Sequence, residues 1–213
     1  MTTKTYGQYC GVARALELVG ERWALLIIRD LLVGPKRYTD LRAGLPKIPT
    51  NVLATRLKEL EQAALVVRRV QPRPSGAIVY ELTQYGADLE DVVLALGRWG
   101  ARSLGELRPD EIITADILVM ALRSTFRPSH RKAKYELHFG ETVIHAIVDA
   151  DHLTVDVGPL AGAIIIEAKA PIAPLLTGEV DGAKALKTKL VTTSGTAKHL
   201  DHFAATFPIG PPA

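Results

Sequence analysis

Residues 22–33, Arg-Trp-Ala-Leu-Leu-Ile-Ile-Arg-Asp-Leu-Leu-Val, constrain this chain more than any other stretch. On a helical wheel Trp23, Leu25, Leu26, Ile27, Ile28, Leu31 and Leu32 leave no broad polar face, so the helix must be buried on most sides. Gly34-Pro35 ends it. A buried spine needs neighbours to cover it, and the flanking sequence supplies them. Over 9–19, Val12, Leu16 and Val19 recur at helical spacing, with Gly20 placed to stop the helix. A short helix follows near 39–43, then the loop Gly44-Leu-Pro-Lys-Ile-Pro49. The next helix, 50–63, carries Leu53, Leu57 and Leu60 on one narrow face. Asn51, Thr55, Lys58 and Gln62 occupy the opposite face, with Ala54 beside them. Thr50 is expected to cap this helix, with Pro49 just outside it. A hairpin comes last: strand 66–70, the turn Pro72-Arg-Pro-Ser-Gly76, and strand 78–82.

Helix, helix, short helix, helix, hairpin is the order of a winged helix-turn-helix, and the charge distribution agrees with a polyanionic partner. The net charge of +3 over 213 residues is a cancellation. Residues 1–108 carry a net +5 and residues 109–213 a net −2. Between Lys36 and Arg73 nine basic residues face only Asp40, Glu59 and Glu61. A solvated basic surface would look the same on charge alone. The helix pattern tips the reading toward DNA, because a helix fixed by its leucine face can lie in the major groove with short polar side chains toward base edges. The expected base readers are Asn51, Ala54, Thr55 and Lys58, with Thr50 at the helix start. Arg37, Thr39, Arg56, Arg68, Arg69 and Arg73 are the expected backbone and wing contacts.

These residues also carry a family resemblance. The run Tyr9-Cys-Gly-Val-Ala-Arg-Ala-Leu-Glu-Leu-Val-Gly-Glu-Arg-Trp-Ala-Leu-Leu-Ile-Ile-Arg-Asp-Leu-Leu resembles the opening of HxlR-type transcriptional regulators, relatives of the MarR group. Gly34-Pro-Lys-Arg-Tyr-Thr-Asp-Leu, the segment Ile48-Pro-Thr-Asn-Val-Leu-Ala-Thr-Arg-Leu-Lys-Glu-Leu-Glu and Val79-Tyr-Glu-Leu-Thr-Gln-Tyr-Gly are similar to that family's later segments. The resemblance covers about residues 8–105 and implies a homodimeric regulator, more often a repressor, on a pseudo-palindromic operator of double-stranded DNA. Two positions depart from the pattern. Gly11 stands where many members have proline, which leaves the start of the first helix open, and Pro49 stands where a serine cap is frequent.

From the N-cap Thr83 a helix is expected to reach about residue 104, with Leu89, Val92, Val93, Leu96 and Trp99 along one stripe. Gly86, Gly97 and Gly100 mark a bend or a close approach. Packing on a companion domain would explain the stripe. The resemblance implies pairing between subunits instead, together with Val12 and Leu16 of the first helix. Cys10 is the single cysteine. It excludes an internal disulfide and a cysteine-based zinc site, and it admits a redox switch through an intersubunit or mixed disulfide. Arg14 is the nearby base expected to lower its pKa.

A second domain, 109–213, is expected after the 1–105 DNA-binding and dimerisation domain. It reads as a helix over 110–126, strands over 135–139, 142–148, 152–157 and 163–169, two short helical pieces around 172–177 and 183–187, a strand near 189–193 and a helix over 196–207. That is an α+β domain, a largely antiparallel sheet with helices on one face. The run Pro174-Leu-Leu-Thr-Gly-Glu-Val-Asp-Gly-Ala-Lys-Ala-Leu-Lys-Thr-Lys-Leu-Val-Thr-Thr-Ser-Gly and the closing Phe203-Ala-Ala-Thr-Phe207 resemble sterol carrier protein-like domains. This implies an apolar cavity for a lipophilic small-molecule effector. A solid core is the competing reading.

Other function classes find little support. All six histidines (His130, His138, His145, His152, His199, His202) lie in the second part, but neither the His199-x-x-His202 pair nor the spacing of seven implies a common point, so no metal and no cofactor are expected. There is no Gly-x-Ser-x-Gly, no phosphate-binding glycine loop and no cysteine–histidine pairing, so no enzyme is expected. The longest apolar runs, 25–28 and 115–122, are far shorter than a membrane span, and residues 1–6 lack an apolar signal core, so the expected location is cytoplasmic. A lipid-binding protein that uses its winged helix only to dimerise, and a redox-sensing regulator acting through Cys10, stand as alternatives.

Overall fold

The computed structural model describes residues 5–129 and 131–210. It divides into two compact units, 1–93 and 94–213. The first contains α1 (Gly11–Val19), α2 (Ala24–Val33), α3 (Tyr38–Gly44), α4 (Thr50–Gln62), β1 (Val66–Val70), β2 (Ile78–Leu82) and α5 (Gln84–Ala87). The next helix, α6 (Glu90–Ala101), begins in the first unit and ends in the second. The hairpin strands fall on the expected residues, and α4 differs by one.

The spine is buried as its composition demands. Ile27 and Ile28 of α2 are fully buried and meet Leu41 of α3 and Leu53, Leu57 and Leu60 of α4 in one cluster. The turn into α2 is made by Trp23, whose left-handed backbone (φ 81°) forms the N-cap, and Arg22 lies 5.0 Å above its ring. Thr50 does not cap α4. Pro49 holds the N-cap position and Thr50 is the first helical residue, because proline's fixed φ suits the entry and it lacks the N–H that a cap would have to satisfy.

The helix expected from Thr83 to 104 is interrupted. Thr83 does cap it, accepting the Gly86 N–H at 3.1 Å and donating to the Ala64 carbonyl at 2.6 Å. The helix then turns after Ala87 and restarts at Glu90. Gly86 explains the site of the break: a β-carbon there would stand 2.1 Å from the Leu65 carbonyl oxygen, so only glycine lets this turn pack on the end of β1.

The second unit contains α7 (Ala115–Thr125), β3 (Lys132–Phe139), β4 (Thr142–Asp149), β5 (His152–Val157), β6 (Ile164–Ala168), α8 (Ala173–Leu176), α9 (Gly182–Lys187), β7 (Val191–Thr193) and α10 (Ala197–Thr206). The helix expected from 110 begins only at Ala115, where Thr114 caps it by accepting the Ile117 N–H. The strands form one sheet in the order β5-β4-β3-β6-β7, antiparallel except for the central β3–β6 pair. α+β is therefore the class of this unit. On the sheet's covered face Tyr135, Ile144, Ala146 and Ile166 are buried together with Leu200, Phe203 and Phe207 of α10. Among the described residues, no helix is long and apolar enough to cross a membrane.

Candidate nucleic-acid interface

The interface is built on α4. Leu53, Leu57 and Leu60 are 0–2% exposed and fix the helix to the core, so its other side is turned outward by geometry alone. Asn51, Ala54, Thr55 and Lys58 are all exposed, and Thr50 precedes them at the exposed first turn. Thr55 donates to the Asn51 carbonyl at 2.8 Å, which fixes its rotamer. The outward surface of α4 is thus short, polar and free of carboxylates at these positions.

Helix α3 is locked against α4 by a bond that the sequence pattern did not announce: the Tyr38 hydroxyl donates to the Thr50 carbonyl at 2.8 Å. At the start of α3 the Asp40 carboxylate accepts the Arg37 backbone N–H at 3.0 Å. The guanidinium of Arg37 stays exposed and reaches Ser75 of the wing turn at 3.4 Å. Thr39 is exposed beside it. Lys36 pairs through its backbone with Tyr80 in both directions, at 3.0 and 2.8 Å, and so ties the α2–α3 connection to the hairpin.

The wing is the β1–β2 hairpin, in the register Arg68↔Tyr80 and Arg69↔Val79. Adjacent residues of a strand point to opposite faces, so Arg68 and Arg69 project from different sides of the wing. Arg69 is bonded to Glu81 across the hairpin, whereas Arg68 lies opposite Tyr80. Burial raises the Tyr80 pKa, and Arg68 draws it back. Arg73 is exposed at the tip, where the Arg73–Pro74 bond is cis. Arg56 differs from the other basic residues. Its side chain is only 17% exposed and is held by Glu59, with Glu21 at 3.7 Å.

The apolar residues near the chain start and on α6 fall into two groups. Leu89 and Val93 are half-buried against the core of the first unit. Val12 and Leu16 on α1, and Val92, Leu96 and Trp99 on α6, are exposed, Trp99 by 70%. Among its described residues α6 buries none. Cys10 is exposed at the N-cap of α1, and the backbone N–H of Ala13, then that of Val12, lower its thiol pKa. Arg14, expected to act on it, pairs instead with Glu17 at 2.6 Å. The helix end, not a side-chain base, favours the thiolate.

In the second unit the space between sheet and α10 is filled where an apolar cavity was expected. Tyr135 and Phe203 make an edge contact at 5.0 Å between centroids, and Phe207 packs at a tilt 5.0 Å from Phe203. A cleft of about 710 Å³ lies instead beside the first residues of β3. The histidines go to separate partners. His138 bonds the buried Glu136 at 2.6 Å, His145 donates to the Gly158 carbonyl at 2.9 Å, His199 accepts the Thr196 N–H at 3.0 Å, and His202 meets the Tyr135 hydroxyl at 2.6 Å. Among the described residues no group of three or more His, Cys, Asp or Glu side chains is arranged to hold a metal. His130 lies outside the described residues.

Comparison with known proteins places the likeness in the first half. The model of a family of HxlR-like helix-turn-helix proteins matches residues 18–108. The HTH-type transcriptional regulator YodB of Bacillus subtilis (strain 168) is 41% identical over 85 residues, 40% of this chain and 76% of that protein. The uncharacterized HTH-type transcriptional regulator YvaP of the same organism is 36% identical over 86 residues, 40% of this chain and 80% of that protein. Among solved structures, the reduced form of YodB from B. subtilis shares 36% identity across 46% of this chain and 97% of that one, with a TM-score of 0.40.

Proposed function

Because this chain belongs to the HxlR-like helix-turn-helix family of transcriptional regulators, we propose that it binds double-stranded DNA as a homodimer, acts as a repressor at a pseudo-palindromic operator, and answers to a small effector through its second half. The observation that carries the DNA reading is the outward face of α4. It is polar, small and fixed from behind by three buried leucines. In this reading Asn51, Ala54, Thr55 and Lys58 read base edges, and Thr50 stands at the groove. Arg37, Thr39, Arg68, Arg69 and Arg73 hold the backbone. Arg56, already paired with two carboxylates, would have to exchange them for phosphate.

Homodimerisation would cover Val12, Leu16, Val92, Leu96 and Trp99, each worth roughly 1.5–3 kcal/mol when fully buried. In functional terms we assign residues 1–105 to DNA binding and pairing and 109–213 to sensing a lipophilic ligand, in the cytoplasm where the DNA lies. The reading calls for no catalytic group and no cofactor. A redox reading through Cys10 is favoured by one specific observation, the exposed thiol whose pKa is lowered at a helix N-terminus.

The test is fluorescence anisotropy with a labelled fragment of the chain's own promoter region, over a salt series. Arg73→Ala is expected to weaken cognate and random DNA alike and to flatten the log–log salt slope by about one unit. Asn51→Ala is expected to cost about 1–3 kcal/mol on cognate DNA only. Equal loss on both DNAs for the Asn51 variant would remove it from base reading.

A further inference from the structure

The β3–β4 ladder begins at Lys132↔Asp149, whereas the β3–β6 ladder begins only at Tyr135↔Ile164. Over residues 132–134 the central strand therefore has an open edge on its β6 side. The cleft of about 710 Å³ lies along that edge, within the size range of small-molecule sites. Because the edge is open, side chains from both faces of β3 reach it. Ala133, Ile147, Val148 and Ile164 form apolar walls. Arg131, Lys134 and His199 stand at the rim, all exposed. The sole carboxylate of the lining, Asp149, is already bonded to Lys132 at 2.8 Å.

At the α10 side stands His202. Its Nδ1 lies 2.6 Å from the hydroxyl of the fully buried Tyr135. Burial pushes the phenol up to about 12, so it keeps its proton and donates it to Nδ1. The imidazole proton then sits on Nε2. Nε2 is buried, and among the described residues it has no hydrogen-bond partner. Burial first, then Arg131 and His199, hold the ring below its ordinary pKa, so it is neutral and a donor at that nitrogen. A buried donor without an acceptor is costly, and a small shift of the rim side chains that opens Nε2 to the cleft would let a ligand oxygen satisfy it.

The geometry points to a binding site in this cleft for a carboxylate carried on an apolar body. The carboxylate accepts from His202 Nε2 and is neutralised by Arg131 and Lys134, while the body lies on Ala133, Ile147, Val148 and Ile164. This deepens the effector reading above and rests on it only for the link to DNA. It also places the expected lipophilic ligand at a strand edge and gives it an anionic end.

Isothermal titration of the full chain with three probes tests it: decanoate (charge and body), decanol (body alone) and acetate (charge alone). Decanoate is expected to bind, with decanol and acetate each weaker by about tenfold or more. Lys134→Gln, an exposed change, is expected to weaken decanoate about threefold and to leave decanol unchanged. His202→Phe, which keeps a ring and removes the donor, is expected to weaken decanoate about tenfold. No decanoate binding, decanol or acetate binding within about twofold of decanoate, or an unchanged affinity in Lys134→Gln overturns the site. Promoter binding by the same samples is read separately. Loss of the site with DNA binding intact sinks this inference alone, and bound decanoate with no DNA binding sinks the regulatory reading.

Discussion

At the scale of single residues, the site of greatest chemical interest is Cys10, and its setting differs from the one the sequence suggested. A basic neighbour four residues on was the expected activator, yet Arg14 is committed to Glu17. The open N–H groups of α1 act in its place. Helix N-terminal dipoles favour anions, so the thiolate gains at a pH where a free cysteine is still protonated. The rate of iodoacetamide alkylation should therefore rise with pH to a midpoint below the free-thiol value of about 8.5. A midpoint at the free value would show that the helix end has no hold on it. If the redox reading holds, diamide should release the promoter fragment from the wild type and not from Cys10→Ser. Residue types told which chemistry was available here, but not which neighbour would perform it, because Arg14 had one acidic and one thiol partner, Glu17 and Cys10, within reach of one helical turn.

At the scale of elements, local patterns were legible wherever one side chain in two, or one in three or four, had to face the core. The hairpin and α4 fall where they were expected because their burial is set by their own periodicity and by turn chemistry. What escaped were features decided by distant partners. The break between α5 and α6 depends on the Leu65 carbonyl lying against Gly86, two elements apart in sequence. Gly86→Ala should destabilise the first unit by about 1–3 kcal/mol in urea unfolding, since the added methyl meets backbone and not a flexible side chain. A change below about 0.5 kcal/mol would mean that the turn can move away from the strand. The late start of α7 and the aromatic filling by Tyr135, Phe203 and Phe207 were equally invisible to periodicity. So was the imidazole–phenol pair at the cleft, because nothing in a sequence marks which helix residue will meet a strand residue.

At the scale of the whole molecule, the net charge of +3 and the length of 213 residues had little to say until resolved along the chain. The compact units divide at 93/94, whereas the charge contrast is sharpest when the basic residues Arg98, Arg102 and Arg108 are counted with the first part. The apolar side chains that remain exposed on α1 and α6 call for cover, and a second copy is the proposed source. Trp99→Glu should give a folded monomer in analytical ultracentrifugation with weakened promoter binding, because Trp99 contributes little to the core of one chain. Leu89→Glu should lower the melting temperature instead, because Leu89 packs on that core. A Trp99→Glu protein that keeps a dimer mass would move the subunit contact elsewhere.

The single parallel pair in the sheet also has a consequence in time. The meander β3–β4–β5 joins neighbours through tight turns, and such pairings close quickly. β6 must then return past two strands to lie beside β3, and β7 can add only once β6 is in place. The cleft at the β3 edge is bounded by Ile164, the first residue of that late strand. During synthesis α4 is therefore complete well before the cleft exists. Under the proposed function, a newly made chain would pass through an interval in which its DNA face is formed and its effector site is not.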